Sequence, residues 1–327
     1  MKLKYIALLF ISILTACGEK AKEKTATKTE ETKPLHIVFV TGEEEYRSEE
    51  SFPMLAKLAK RELGAKVTVV YSVDSLGFID PNRTDHIAGL EALETADLMV
   101  VFMRFRNLLK GERDYITDYV ESGKPIVGFR TSTHAFKYDN DSTLTEFNEA
   151  WPAKVFGQQW ITHHGHFDDG KFPVTKISIK EGHVDNPILK GFSEFEAYSW
   201  LYHVDGGDWK LQGDSEPFLM GLSTKSQHEI DGKLEEFSLN NPVAWTKSYT
   251  GTSGKKARVF FTTLGHPYDF KLPVVRKIAM NGIYWALDKE DSIPADGVNV
   301  TLEDPFLPNN SGFGQKFKKN QKPESIQ

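Results

Sequence analysis

Between residues 35 and 129 the chain alternates short, near-continuous apolar runs with stretches of helical periodicity, and this alternation limits the fold more than any other feature. Residues 35–40 (Leu-His-Ile-Val-Phe-Val), 67–71, 98–103 (Leu-Met-Val-Val-Phe-Met) and 125–129 are too short for stable helices and carry almost no polar face. Strands covered on both sides read this way, which predicts a parallel sheet with helices on each face. Between them, Ser51 precedes Phe52-Pro53-Met54-Leu55 and Leu58-Ala59, spaced as one helical face with proline in its first turn. A short helix is expected from Leu90, and a longer one on Tyr115, Ile116, Tyr119 and Val120, ended by Gly123. The first half therefore reads as a doubly wound α/β domain. Such sheets take ligands beyond the carboxyl ends of their strands, near the point where strand order reverses. The loops after Val40, Met103 and Phe129 are where a site is expected.

After Gly157 the pattern loosens into strand-like pieces at 174–179, 196–202, 218–222, 243–248 and 258–263, closed by a helix at 273–287. They extend the sheet rather than found a second domain, so residues 35–290 are assigned to one domain. The tail, 291–327, holds Pro294, Pro305, Pro308 and Pro323 and is expected to be irregular, with Phe306, Leu307 and Phe313 available to pack on the domain.

The 40 Lys and Arg against 46 Asp and Glu leave a net charge of −6, and no basic stripe interleaved with aromatics occurs. Nucleic acid is therefore not an expected partner. One cysteine rules out an internal disulfide, a Cys-rich zinc site and an iron–sulfur cluster. That cysteine, Cys17, ends a stretch with Lys2 and Lys4, a ten-residue apolar run at 5–14, and Leu14-Thr15-Ala16. The run is too short to span a bilayer and reads as a signal peptide, residues 1–16. Its ending resembles a lipobox, so Cys17 is the expected lipid anchor of a bacterial envelope protein, followed by a flexible linker to residue 34. Gly18 lacks the acidic character associated with inner-membrane retention, which favours the outer membrane.

Four segments carry side chains suited to chemistry. In Trp160-Ile161-Thr162-His163-His164-Gly165-His166-Phe167-Asp168-Asp169, an extended backbone would point His164 and His166 to one side, as a metal site requires. In Gly128-Phe129-Arg130-Thr131-Ser132-Thr133-His134, Ser132 sits where a nucleophile turn would fall, but Arg130 and His134 are too large for such an elbow. A polar loop contacting a sugar or anion through Arg130 and His134 fits better. His266 lies in a Gly-His-Pro turn after a strand, and residues 198–203 offer Tyr202 for stacking, Trp200 for packing, and His203.

Taken in order, residues 128–136 (GFRTSTHAF), 155–165 (VFGQQWITHHG), 186–189 (NPIL), 242–245 (PVAW), 258–266 (RVFFTTLGH) and 281–286 (NGIYWA) resemble the ThuA-like, or trehalose-utilisation, family. The resemblance implies a flavodoxin-like sheet of the class I glutamine amidotransferase type, with His134, His164 and His266 at one pocket. An amidotransferase needs a nucleophilic cysteine at the turn after the fourth strand. Thr131 and Ser132 stand there, so glutamine hydrolysis by that mechanism is excluded. The resemblance further implies processing of a disaccharide or 3-keto-glycoside, alongside a sugar oxidoreductase in the same pathway. Arg130 would then orient the sugar, and Trp160, Tyr202, His203 and Ser132 would bind it. One divalent metal on His164, His166 and Asp168 would polarise a keto group or acidify a water. The competing expectations are a sugar-binding lipoprotein that has lost catalysis and, with least support, a scaffold acting through its tail.

Overall fold

A computed structural model describes residues 33–160, 170–203, 210–224 and 240–324. Strand β1 (His36–Gly42) leads to α1 (Ser48–Leu63), then β2 (Lys66–Val70), a 3-10 helix (Leu90–Thr95), β3 (Leu98–Met103), α2 (Lys110–Glu121) and β4 (Ile126–Phe129). A second 3-10 helix (Arg130–His134), α3 (Thr145–Asn148) and α4 (Ala150–Phe156) follow. Strands β5 (Thr175–Ile179), β6 (Phe195–Ala197), β7 (Glu216–Ser223), β8 (Asn240–Thr250) and β9 (Lys256–Thr262) precede α5 (Pro273–Ala286).

The strands form one mixed sheet in the order β2-β1-β3-β4-β9-β8-β7-β5-β6. The first five run parallel, and β8, β7, β5 and β6 add antiparallel pairings at the far side. Because side chains alternate along a strand, Ile37, Phe39, Val100 and Phe102 pack under α1 and α5, whereas Val38, Val40, Val101 and Met103 pack under α2 and α4. Both faces are thus apolar, which is why these runs look continuous in sequence.

Two boundaries differ from expectation, each for a local reason. Helix α1 starts at Ser48, ahead of Ser51, because the Arg47 carbonyl already accepts from the N–H groups of Glu50 and Ser51 at 2.9 and 3.1 Å. Pro53 consequently sits inside the helix rather than in its first turn. The strand expected at 196–202 stops at Ala197, since Asp269 captures the next backbone: its Oδ1 accepts from Tyr198 N–H at 2.6 Å and its Oδ2 from the Ser199 hydroxyl at 2.5 Å. Directly after β4 the chain makes a 3-10 turn at Arg130–His134, and α3 and α4 come later.

The tail returns over the domain. Ile293, Val298 and Val300 are buried in the same core as α1 and α5, and the Val298 N–H donates to Asn281 Oδ1 at 3.1 Å. Farther on, the Gln321 carbonyl accepts from Ile79 N–H at 2.8 Å. Phe306 packs against the core, while Leu307 and Phe313 remain exposed. Among the described residues, no helix is long and apolar enough to cross a membrane.

Candidate functional site

Strand order reverses between β1 and β3, whose following loops interlock through charge. After β1 comes Glu43-Glu44-Glu45-Tyr46-Arg47; after β3 come Arg104 and Arg106. Glu44 pairs with both Arg104 and Arg106, and Glu45 lies 3.3 Å from Arg104. Arg106 also donates to the carbonyls of Pro81 at 3.1 Å, Arg83 at 2.9 Å and Arg104 at 2.7 Å, so its fully buried charge is well partnered. The Glu43 carboxyl folds back to accept the N–H groups of Glu45 and Tyr46, which fixes the loop that presents Glu45. Burial, reinforced by the charges of Glu44 and Glu45, pushes the Glu43 pKa up to about 8. Burial likewise raises that of Glu45, against the opposing pull of Arg104 and Arg130.

The turn after β4 places Arg130 in the left-handed region at φ 38° and aims its guanidinium inward. Nη1 donates to the carbonyls of Trp200 at 3.0 Å and Thr263 at 2.8 Å, and Nη2 donates to the Tyr46 hydroxyl at 3.1 Å. The ring centroids of Tyr46 and Tyr202 lie 4.3 and 4.5 Å from the guanidinium carbon, a cation–π sandwich. Burial keeps both phenols protonated by raising their pKa values.

His134 adjoins this sandwich at Tyr202, with ring centroids 6.2 Å apart, and also meets Trp160 at 4.8 Å and Phe105 at 4.9 Å. His266 adjoins it at Tyr46, again 6.2 Å away. Its two nitrogens are both engaged: Nδ1 accepts from Tyr268 N–H at 3.1 Å, and Nε2 lies 2.9 Å from Ser311 Oγ.

These groups enclose a cavity of about 310 Å³, lined by Glu45, Tyr46, Arg104, His134, Trp160, Trp200 and Tyr202 and closed by Ser311, Gly312, Phe313 and Lys316. Of the residues expected from sequence, His134, Trp160 and Tyr202 line it. Trp200, expected to pack in the core, is both buried and part of the wall. Arg130 is fully buried behind the wall and organises it without lining it. Ser132 is also fully buried; its hydroxyl donates to Val101 O at 3.0 Å and accepts from Met103 N–H at 3.3 Å, which ties the turn to β3. His203 is buried, and its carbonyl accepts from Gln158 at 2.8 Å. His266 does not line the cavity but adjoins two residues that do, Tyr46 and Ser311. His163, His164, His166, Asp168 and Asp169 lie outside the described residues, as does Cys17.

Reasoning from sequence selected the loops after β1 and β3 but not Glu45, Tyr46 or Arg104 within them. The available signal was three consecutive carboxylates placed directly after a buried parallel strand, where water is scarce and charge must be paired. Nothing local marked Ser311, Phe313 or Lys316. Among the described residues, no group of three or more His, Cys, Asp or Glu side chains is placed to hold a metal ion.

The profile of the ThuA family, described as trehalose utilisation, matches residues 35–286. The chain belongs to the ThuA family. Membership points to a carbohydrate-related role. No curated protein matches the ThuA chain. Among solved structures, a protein named ThuA-like from Bacteroides uniformis shares 15% identity over 79% of this chain and 93% of its own, with a TM-score of 0.48. Another so named, from Parabacteroides merdae, shares 14% over 88% of this chain and 100% of its own, with a TM-score of 0.50. At that identity the second likeness is one of fold, and it covers the cavity-bearing domain of this ThuA protein.

Proposed function

We propose that this ThuA chain is an envelope-anchored enzyme that processes a glycoside or 3-keto-glycoside in the cavity between the β1, β3 and β4 loops. The observation that carries the reading is a ring-sized, aromatic-walled cavity whose lining includes both Glu45 and His134. Trp160, Trp200 and Tyr202 supply apolar surface for the faces of a pyranose, while Arg104 and Glu45 supply donors and acceptors for its hydroxyls. In this reading Glu45, whose pKa burial raises against the pull of Arg104 and Arg130, is the group that gives a proton to the departing glycosidic oxygen. His134 accepts the proton from the carbon beside the keto group, its ring steadied by Thr133 Oγ1 at 3.2 Å from Nδ1. Arg130 holds the two tyrosines that shape the wall.

The same reading keeps the parallel half of the sheet as flavodoxin-like, Cys17 as the lipid anchor, and a sugar oxidoreductase as the supplier of the keto group. A divalent metal on His164, His166 and Asp168 belongs to it as well. Those three residues lie outside the described residues.

The test uses the chain from Glu19 onward, incubated with 3-keto-glucosides and the parent glucosides, with products followed by mass spectrometry. Turnover falling at least about a hundredfold in both Glu45→Gln and His134→Ala, with unchanged unfolding midpoints, is the expected result. Full turnover in both variants removes the assignment. Saturable binding without product moves the protein to the sugar-binding class. Metal content of the same preparation, compared with His164→Ala, decides the cation.

A further inference from the structure

The wall that closes the cavity does not come from the family domain. The ThuA match ends at residue 286, yet Ser311, Gly312, Phe313 and Lys316 complete the lining. This strap is tied down along its length. Asn309 N–H and the Lys318 ammonium both reach Glu50 Oε2, at 3.1 and 2.6 Å. Gly312 N–H donates to Glu45 O at 2.8 Å, and Gly312 O accepts from Arg47 at 3.1 Å. Ser311 Oγ meets His266 Nε2. The strap is therefore joined to the backbone of the proposed acid and to a histidine beside the sandwich.

Its outward groups are unusual for a tail. Phe313 is 53% exposed although it is a large apolar ring, and it lies 4.9 Å from the Arg104 guanidinium at the cavity mouth. Lys316 is exposed and has no carboxylate within 4.0 Å among the described residues; its ammonium donates to the Ser311 carbonyl at 3.5 Å, and its own carbonyl accepts from Asn309 Nδ2 at 2.9 Å. The cavity behind them, about 310 Å³, lies at the small end of ligand pockets and has room for one ring. Phe313 and Lys316 are the exposed residues of the wall that the strap adds, so they are placed to meet a group attached to that ring.

We propose that the strap at residues 311–316 is the specificity element of this chain, with Phe313 as the stacking platform and Lys316 as the hydrogen-bond donor for a second sugar ring outside the cavity. The inference rests on the sugar reading of the cavity and deepens it: the ligand class is a two-ring glycoside, selected over a monosaccharide by a segment outside the family domain. An exposed aromatic ring held by a guanidinium loses little freedom on stacking, and an ammonium with three protons and no carboxylate partner among the described residues can donate to hydroxyls.

Calorimetric titration of the chain from Glu19 onward with trehalose and with D-glucose tests this. The wild type is expected to bind trehalose at least about tenfold more tightly than glucose. Phe313→Ala and Lys316→Ala are expected to weaken trehalose binding by a larger factor than glucose binding, so that the preference falls, and Phe313→Trp to retain it. Trp160→Ala, on the inner wall, should weaken both sugars. If the wild type binds both sugars and the strap variants change neither affinity, or change both equally, the strap proposal falls and the sugar reading survives. If the wild type binds neither, the sugar reading fails and takes the strap proposal with it.

Discussion

His266 Nε2 donates a hydrogen bond to Ser311 Oγ at 2.9 Å, and the direction is set from the other side of the ring. The Tyr268 N–H points at Nδ1 from 3.1 Å, so Nδ1 carries the lone pair and Nε2 the proton. Burial, with help from the positive charges of Arg130 and Lys271, holds this imidazole well below the usual histidine range. One neutral tautomer thus joins the turn after β9 to the C-terminal strap.

That neutrality has an acid limb. As pH falls through about 6.5 the unfolded histidine takes up a proton that the folded one refuses, so its contribution to stability is lost on acidification. Urea unfolding between pH 5 and 7 should therefore show a steeper acid-side loss in the wild type than in His266→Gln. Equal slopes would mean the ring takes up its proton at the same pH in the folded and unfolded states.

Glu43 acts in the opposite sense. Its carboxyl is held up at about 8 by burial and by Glu44 and Glu45, so the folded state binds a proton more tightly than the unfolded chain. Its contribution is fully present below the unfolded value near 4.5 and is lost as pH rises through about 8. Glu43→Gln, neutral at every pH, should match the wild type at pH 5 and melt higher than it at pH 9. Thermal melts across that range check this, and a variant that melts lower at pH 9 would mean the carboxylate is charged and satisfied.

Arg130 holds the site together from behind. Replacing it with methionine strips the Trp200 and Thr263 carbonyls of their donor and opens the sandwich between Tyr46 and Tyr202. A loss of about 3–5 kcal/mol is expected in urea unfolding, from buried carbonyls at roughly 1–3 kcal/mol each plus lost packing. Arg130→Lys should recover less than half of it, because one ammonium cannot reproduce the planar fork. A loss below about 1 kcal/mol would show that the wall stands without this side chain.

Gly282 tests packing against propensity. In an exposed helix a change from glycine to alanine gains about 1 kcal/mol. In α5 the added Cβ would stand 2.0 Å from Cδ1 of Phe260, in the middle of the sheet. Gly282→Ala is thus expected to cost about 1–3 kcal/mol, read as a lower urea midpoint with an unchanged slope.

Several residues that carry the likeness to the family turn out to be architectural. Asn281 is fully buried, donates to the carbonyls of Ile188 and Lys190 at 2.9 Å each, and accepts from Val298 N–H. Trp245 spends its indole N–H on Phe156 O at 2.7 Å. Ser132 braces β3. A motif read along the chain shows that a residue type is present, but not whether its polar atom faces a ligand or a backbone carbonyl. His134 was legible because the turn after a parallel strand faces the ligand edge, and Trp160 because it opens the histidine-rich segment that carries the family resemblance. Glu45 and Arg104 stood in loops selected for the same reason, yet their pairing depends on how two loops meet.

The sequence by itself determined the strands, the helices and the edge of the sheet that carries the site, because these follow from periodicity and burial within ten or so residues. Tertiary structure alone decided which side chains converge there. Arg47 meets Gly312 across 265 positions, and Glu45 meets the same residue through its carbonyl. Contacts at that separation depend on how every intervening element packs, so no local pattern records them, and the strap that closes the cavity becomes visible only when the chain is folded.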